Sequence, residues 1–185
     1  MLNGLVRPVA LAFVVASTAG AAVADTPRPI CRNVTAAGGW QSTGITLAEG
    51  DAVCVAVGGF WSHGPEPGDM TPWHGPEGYL YKKDKVSPPI VPFPFAQVGA
   101  LIGKLGETGL AFPIGEALCF IVGTTDGNSA LPADLQFTIN DAPASFEDNR
   151  GALSVAVAVH DVGQDNPAAI IGRLSQIVTR GSCLR

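Results

Sequence analysis

Apolar residues along this chain recur in two rhythms, and the shorter one dominates. In Leu135-Gln136-Phe137-Thr138-Ile139-Asn140 the odd positions are apolar and the even ones polar, the alternation of an antiparallel strand with one face on a core. Leu153 to Val159 alternates differently, with large residues (Leu153, Val155, Val157, Val159) on one face and small ones (Ser154, Ala156, Ala158) on the other. Further strands are expected over Gly44 to Leu47, Ala52 to Gly58, Val98 to Leu105 and Ala117 to Gly123, with the last two extending over Leu135 to Asn140 and Leu153 to His160. Gly, Pro and Asp separate these runs, a spacing that predicts an all-β fold of the jelly-roll or β-sandwich type. The longer rhythm occurs once, between Asn166 and Arg180. There Ile170, Ile171, Leu174, Ile177 and Val178 fall at helical spacing, Asn166 can cap, and Pro167 suits the first turn. A short C-terminal helix is expected, packed on the sandwich through an apolar stripe of ordinary width.

Two segments follow neither rhythm. Residues 1–24 place Arg7 ahead of an apolar run from Val9 to Val15, and end in Ala22-Val23-Ala24, a small-x-small pattern. They read as a signal peptide, too short and too rich in Ala and Gly for a membrane span, so a secreted or periplasmic chain beginning near Asp25 is expected. The stretch from His63 to Phe95 is crowded with Pro and Gly and reads as a long excursion from the sandwich, the kind of loop that usually carries function. The expected organisation is therefore a leader (1–24), a β-sandwich domain (25–160) and a helical extension (161–185).

Charge and cysteines narrow the partners. A formal net charge of −5 offers no basic face for phosphates, which argues against nucleic acid. Cys31, Cys54, Cys119 and Cys183 all follow the leader, and an even number in an exported chain argues for two disulfides. Three pairings are possible. We favour Cys31 with Cys183, joining the two ends, and Cys54 with Cys119, joining two strand interiors. No CxxC pair suggests redox or zinc chemistry, no GxSxG elbow is present, and the histidines show no metal-ligand spacing.

The segment Asn140 to Gly151 is the chemically richest. Asp141, Asp148 and Asn149, with turn carbonyls beside them, are hard oxygen ligands of the type that calcium takes, and no Cys or His competes. Asn, Asp, Pro, Ser and Gly are also ordinary turn residues.

Four segments, in order, carry a resemblance to the PA-I family of galactophilic bacterial lectins. Gly50-Asp51 and Val53 to Gly59 lead into Phe60-Trp61-Ser62-His63-Gly64-Pro65, similar to the family's strand ending in an aromatic, Ser and Gly-Pro. Trp73 with Gly75-Pro76-Glu77-Gly78 resembles its Trp-Gly-Pro-Gln-Gly turn. Ala100 to Gly106 resembles its Gly-Ala-Leu-x-x-Lys-Ile-Gly strand, and Asn140 to Gly151 its metal loop, with Leu153-Ser154-Val155 continuing the match. The resemblance spans about Gly39 to Val159. It implies a calcium-dependent, non-enzymatic carbohydrate-binding protein, with calcium held by Asp141, Asp148 and Asn149 side chains and by the backbone carbonyls of His63 and Ser145. It places Asp141, Ser145 and Asp148 at the sugar. The family's His-Pro-x-Gln group has no counterpart here, since counting forward reaches Lys82-Lys83-Asp84-Lys85; His74 or Tyr81 would have to substitute. The sugar is a galactoside type by resemblance, and homo-oligomers are part of what the family implies, although the terminal helix could cover surfaces used for tetramer assembly. The competing reading is a lectin-like interaction module that binds calcium but no sugar. A glycosidase would need two carboxyls across a scissile bond, whereas acids crowded into one turn more readily share a cation.

Overall fold

Alternation resolves into eight strands among the described residues of the computed structural model: 28–64, 73–79, 91–123, 130–160, 162, 166–181 and 183. They are β1 (Ile30–Thr35), β2 (Gln41–Leu47), β3 (Ala52–Ser62), β4 (Leu101–Leu105), β5 (Phe112–Pro113), β6 (Ala117–Ile121), β7 (Ala133–Ile139) and β8 (Arg150–His160), followed by helix α1 (Pro167–Thr179). One antiparallel sheet runs β1-β8-β3-β6 and the other β2-β7-β4-β5. The expected leader and Tyr81 lie outside the described residues.

Large side chains of the two sheets fill the sandwich. Val53, Val55, Val57, Leu153, Val155 and Val157 from one sheet meet Leu101, Leu135, Phe137 and Ile139 from the other, and all of them are buried. The small faces have a separate use. Ala56, Ala156 and Ala158 turn outward from β3 and β8 and receive Ile170, Leu174 and Val178 of α1. Small residues let the helix approach the sheet closely, and at Gly58 an added Cβ would already press on Val178 at 3.2 Å. Asn166 caps the helix as expected, its side chain accepting from the Ala168 N–H at 3.0 Å, with Pro167 in the first turn. Disulfides join Cys31 to Cys183 and Cys54 to Cys119.

The polar face of β7 is not exposed. Gln136 and Thr138 are both buried, Gln136 donating to Glu107 at 3.2 Å and Thr138 to the Gly38 carbonyl at 3.3 Å. This face is roofed by the β1–β2 connection, where Trp40 lies under the Lys104 ammonium at 4.7 Å. The strand expected from Val98 begins only at Leu101, because the Gly99 N–H bonds to the Asn140 carbonyl and Ala100 closes a turn onto Gln97.

Candidate functional site

The last residue of β7 and the first of β8 belong to different sheets, so Asn140 to Asn149 crosses the open end of the sandwich. A 3-10 helix over Pro143–Asp148 shapes the crossing, and Phe146 anchors it by packing against the core. Two buried amides hold its ends. Asn140 accepts from the Phe93 N–H at 3.0 Å and donates to the carbonyls of Phe93, Ala96 and Gln97, which ties residues 93–97 to the loop. Asn149 donates to the Ala36 carbonyl at 3.2 Å, fixing the other end to the chain leaving β1.

Asp141 and Asn149 each present one oxygen that the protein does not satisfy. Asp141 Oδ1 accepts from the Ala142 N–H at 2.7 Å, whereas Asp141 Oδ2 and Asn149 Oδ1 are buried without a hydrogen-bond donor. The Ser62 hydroxyl at the end of β3 is in the same position. Leaving such a group unsatisfied costs about 1–3 kcal/mol, so two unsatisfied oxygens in one loop mark a place where a bound partner is favoured. Burial raises the Asp141 pKa above the ordinary carboxylate range, and neighbouring Asp148 pushes the same way; the Ala142 N–H, the Asn149 side chain and His63 oppose the shift. Asp148 approaches from the rim. Its carboxylate rests against Gly64, at φ 100°, where any Cβ would collide with Asp148 Oδ1. Glycine is thus required where the chain leaving β3 meets the loop.

This donor set fits calcium. Among the described residues no group of three His, Cys, Asp or Glu side chains is placed to hold a metal ion; a cation here would draw on amide and main-chain oxygens as well, as calcium does. Ser145 lies within the 3-10 helix, half-buried, and His63 follows directly on β3.

The histidines form a pair that the sequence did not announce. The end of β3 makes an isolated bridge with the later loop, Trp61 and His74 exchanging backbone hydrogen bonds at 3.0 and 3.1 Å. That bridge sets His63 Nδ1 3.0 Å from His74 Nε2, while His74 Nδ1 lies 3.1 Å from the Gly75 carbonyl. A carbonyl can only accept, so His74 carries its proton on Nδ1 and His63 Nδ1 donates to its Nε2. Burial lowers the His74 pKa, with the charge of His63 acting the same way and the Gly75 carbonyl against it. Tyr79, which the sequence did not single out, stacks obliquely on both rings at centroid distances of 5.6 and 6.4 Å. His74 is 8% exposed and spends both ring nitrogens inside the protein. In this arrangement it supports His63 through one ring nitrogen and holds the Gly75 carbonyl with the other. Asp141, Ser145, Asp148 and Asn149 are gathered in one loop, with Gly64 bringing the segment after His63 onto it.

The same architecture is found in known proteins. Residues 32–162 match the family described as PA-IL-like protein. The chain belongs to the PA-IL-like family. It is similar to Lectin A of Photorhabdus laumondii subsp. laumondii, 28% identical over 119 residues that cover 64% of this chain and 81% of that one. Its fold is similar to a solved structure described as the EclA N-terminal domain, a PllA-like lectin, with a TM-score of 0.50 and 18% identity over 70% of this chain and 95% of that one. The PA-IL-like match spans the sandwich and the crossing loop and stops before α1.

Proposed function

We propose that this chain is an exported, calcium-dependent carbohydrate-binding protein whose site is the loop from Asp141 to Asn149. The observation that carries the proposal is the pair of buried oxygens, Asp141 Oδ2 and Asn149 Oδ1, left without donors in the crossing loop of a PA-IL-like fold. The two disulfides favour an oxidising compartment, secreted or periplasmic, and no helix among the described residues is long and apolar enough to cross a membrane.

The Asp141, Asp148 and Asn149 side chains and the His63 and Ser145 carbonyls would hold calcium. They fall short of the roughly six to eight oxygens that calcium takes, so the bound ion supplies coordination positions that neighbouring hydroxyls of one sugar can complete. Asp141 and Asp148 then act as acceptors for the hydroxyl protons. Two fixed acceptors beside one ion favour a pair of vicinal hydroxyls in one relative orientation, which selects stereochemistry, and a galactoside-type ligand is the first to test. Asn140 and Phe146 hold the loop rigid before ligand arrives, which lowers the ordering cost of binding. The arrangement binds and orients without a nucleophile, and we read the protein as non-enzymatic.

A second reading has its own support: both nitrogens of His74 are used internally, so the far side of a sugar lacks one expected partner, and the loop would bind calcium for order alone. A glycan array probed in millimolar calcium and again in chelator separates the two. The lectin predicts chelator-sensitive glycan signals. Calcium-dependent thermal stabilisation with an empty array would establish the interaction module instead, and an unchanged melting curve would remove calcium from both.

A further inference from the structure

We infer that Trp73 is a second binding position, a stacking platform for the next pyranose ring of a glycan chain whose first sugar occupies the calcium loop; this rests on the lectin reading above. Trp73 is 60% exposed, unusual for the largest apolar side chain. It is nevertheless held in place. Its neighbour His74 is locked to Trp61 by two backbone hydrogen bonds, and Trp61 pairs with Gly151 on β8. At Gly151, with φ 87°, an added Cβ would stand 2.5 Å from Trp73 Cζ3 and 2.8 Å from the Phe60 carbonyl. Only a residue without a side chain lets the indole lie against this ladder. One edge of the ring therefore rests on the backbone while much of its surface faces solvent.

Position gives the platform its meaning. Gly151 is two residues beyond Asn149, about 7 Å along an extended chain, so the backbone on which the ring rests lies within reach of a second sugar unit from the loop. Arg150 lies between them. Its exposed guanidinium is tethered through Nη1 to the carbonyls of Glu147 at 2.9 Å and Asn149 at 2.8 Å, which holds hydrogen-bond donors at the end of the loop. A flat, fixed apolar surface matches the C–H face of a pyranose, whose hydroxyls then point outward from the ring's rim. Among the described residues, the exposed aromatic surface here is of a size that favours a sugar over a protein as occupant. Trp73 with neighbouring exposed Phe60 offers about 150–250 Å² per ring at most, well below the roughly 800 Å² per partner of a stable protein interface.

The test uses the full exported chain in calcium on an array carrying galactose, mannose, fucose and N-acetylglucosamine, each as a monosaccharide and at the end of di- and trisaccharides. Trp73→Ala should weaken binding of the di- and trisaccharides about tenfold, leave the matching monosaccharide and the calcium midpoint unchanged, and be largely rescued by Trp73→Phe. In the parent, a bound disaccharide should shield tryptophan fluorescence from acrylamide while the monosaccharide should not, and Trp73→Phe should remove that difference, because Trp61 is fully buried, Trp40 is half-buried under Lys104, and Trp73 is the most exposed of the three indoles. Equal losses for mono- and disaccharides, or no loss at all, overturn the platform while leaving the lectin intact. An array that stays empty with the parent protein overturns the lectin reading and the platform with it.

Discussion

Asp141→Asn is expected to abolish the rise in melting temperature that calcium confers, while leaving the calcium-free protein as stable as the parent or more so. The two effects have one cause. Asp141 is 4% exposed and its Oδ2 has no donor, so its negative charge is buried at a cost that the Ala142 N–H, the Asn149 side chain and His63 offset only in part, and its pKa is raised accordingly. A carboxyl with a raised folded-state pKa favours the folded state when protonated. Without calcium its penalty therefore sets in as pH rises through the ordinary carboxylate value and is complete above the folded value, and mild acidification stabilises the protein. Asn keeps the shape, and its Oδ1 can still accept from the Ala142 N–H, but it carries no charge to be buried. The same charge is what calcium requires. At free calcium a thousandfold above its dissociation constant the parent gains about 4 kcal/mol, or roughly 8–16 °C for a chain of this size. Scanning calorimetry of both proteins in chelator and in calcium decides the matter. A full calcium shift in the variant would move the cation away from Asp141, and a strong loss of stability in chelator would mean that the carboxylate holds the loop by some other bond.

How far the chain announced this structure depends on whether the signal was local. β7 and β8 were readable because their alternation is set by two sheet faces, and the small face of β8, Ala156 and Ala158, and the apolar stripe of α1 were each visible while their contact with one another was not. The cysteine pairs were readable for another reason: their chemistry is carried by residue type. β1 was missed because it lies at a sheet edge, and Val34 is its one fully buried side chain. β5 was missed because two residues ending in Pro113 make no pattern. Asn140 looked like part of a cation turn, yet its amide staples residues 93–97 to the loop. The His63 and His74 pairing could not be read at all, since it depends on an isolated bridge between Trp61 and His74. Trp61 illustrates the general point: an aromatic beside Ser and Gly-Pro suggested a site, whereas its indole N–H is spent on the Gly99 carbonyl at 2.8 Å, holding the β3 end against the turn that precedes β4.

Removing the bridge between Cys31 and Cys183 by Cys31→Ser with Cys183→Ser should be the most destabilising change outside the core, and it should act on the unfolded chain more than on the folded one. The bridge spans 152 residues. The bridge between Cys54 and Cys119, with a separation of 65, lies within that span and shortens the loop that the outer bridge closes. Loop entropy grows only logarithmically, so the outer bridge still contributes about 4–5 kcal/mol on the chain-entropy model, a fall of roughly 8–20 °C in melting temperature. In the folded protein little should move. Ile170, Leu174 and Val178 remain buried against Ala56, Ala156 and Ala158, and those contacts, with the Asn166 cap, hold α1 without the covalent tie. Far-UV circular dichroism at room temperature and the calcium response of the loop should therefore match the parent while the melting temperature drops. This combination separates a constraint on the unfolded ensemble from a clamp on the native one. If helical signal disappears at room temperature, the apolar stripe of α1 does not suffice to dock it, and the bridge is what keeps the C-terminal segment on the outer face of β3 and β8.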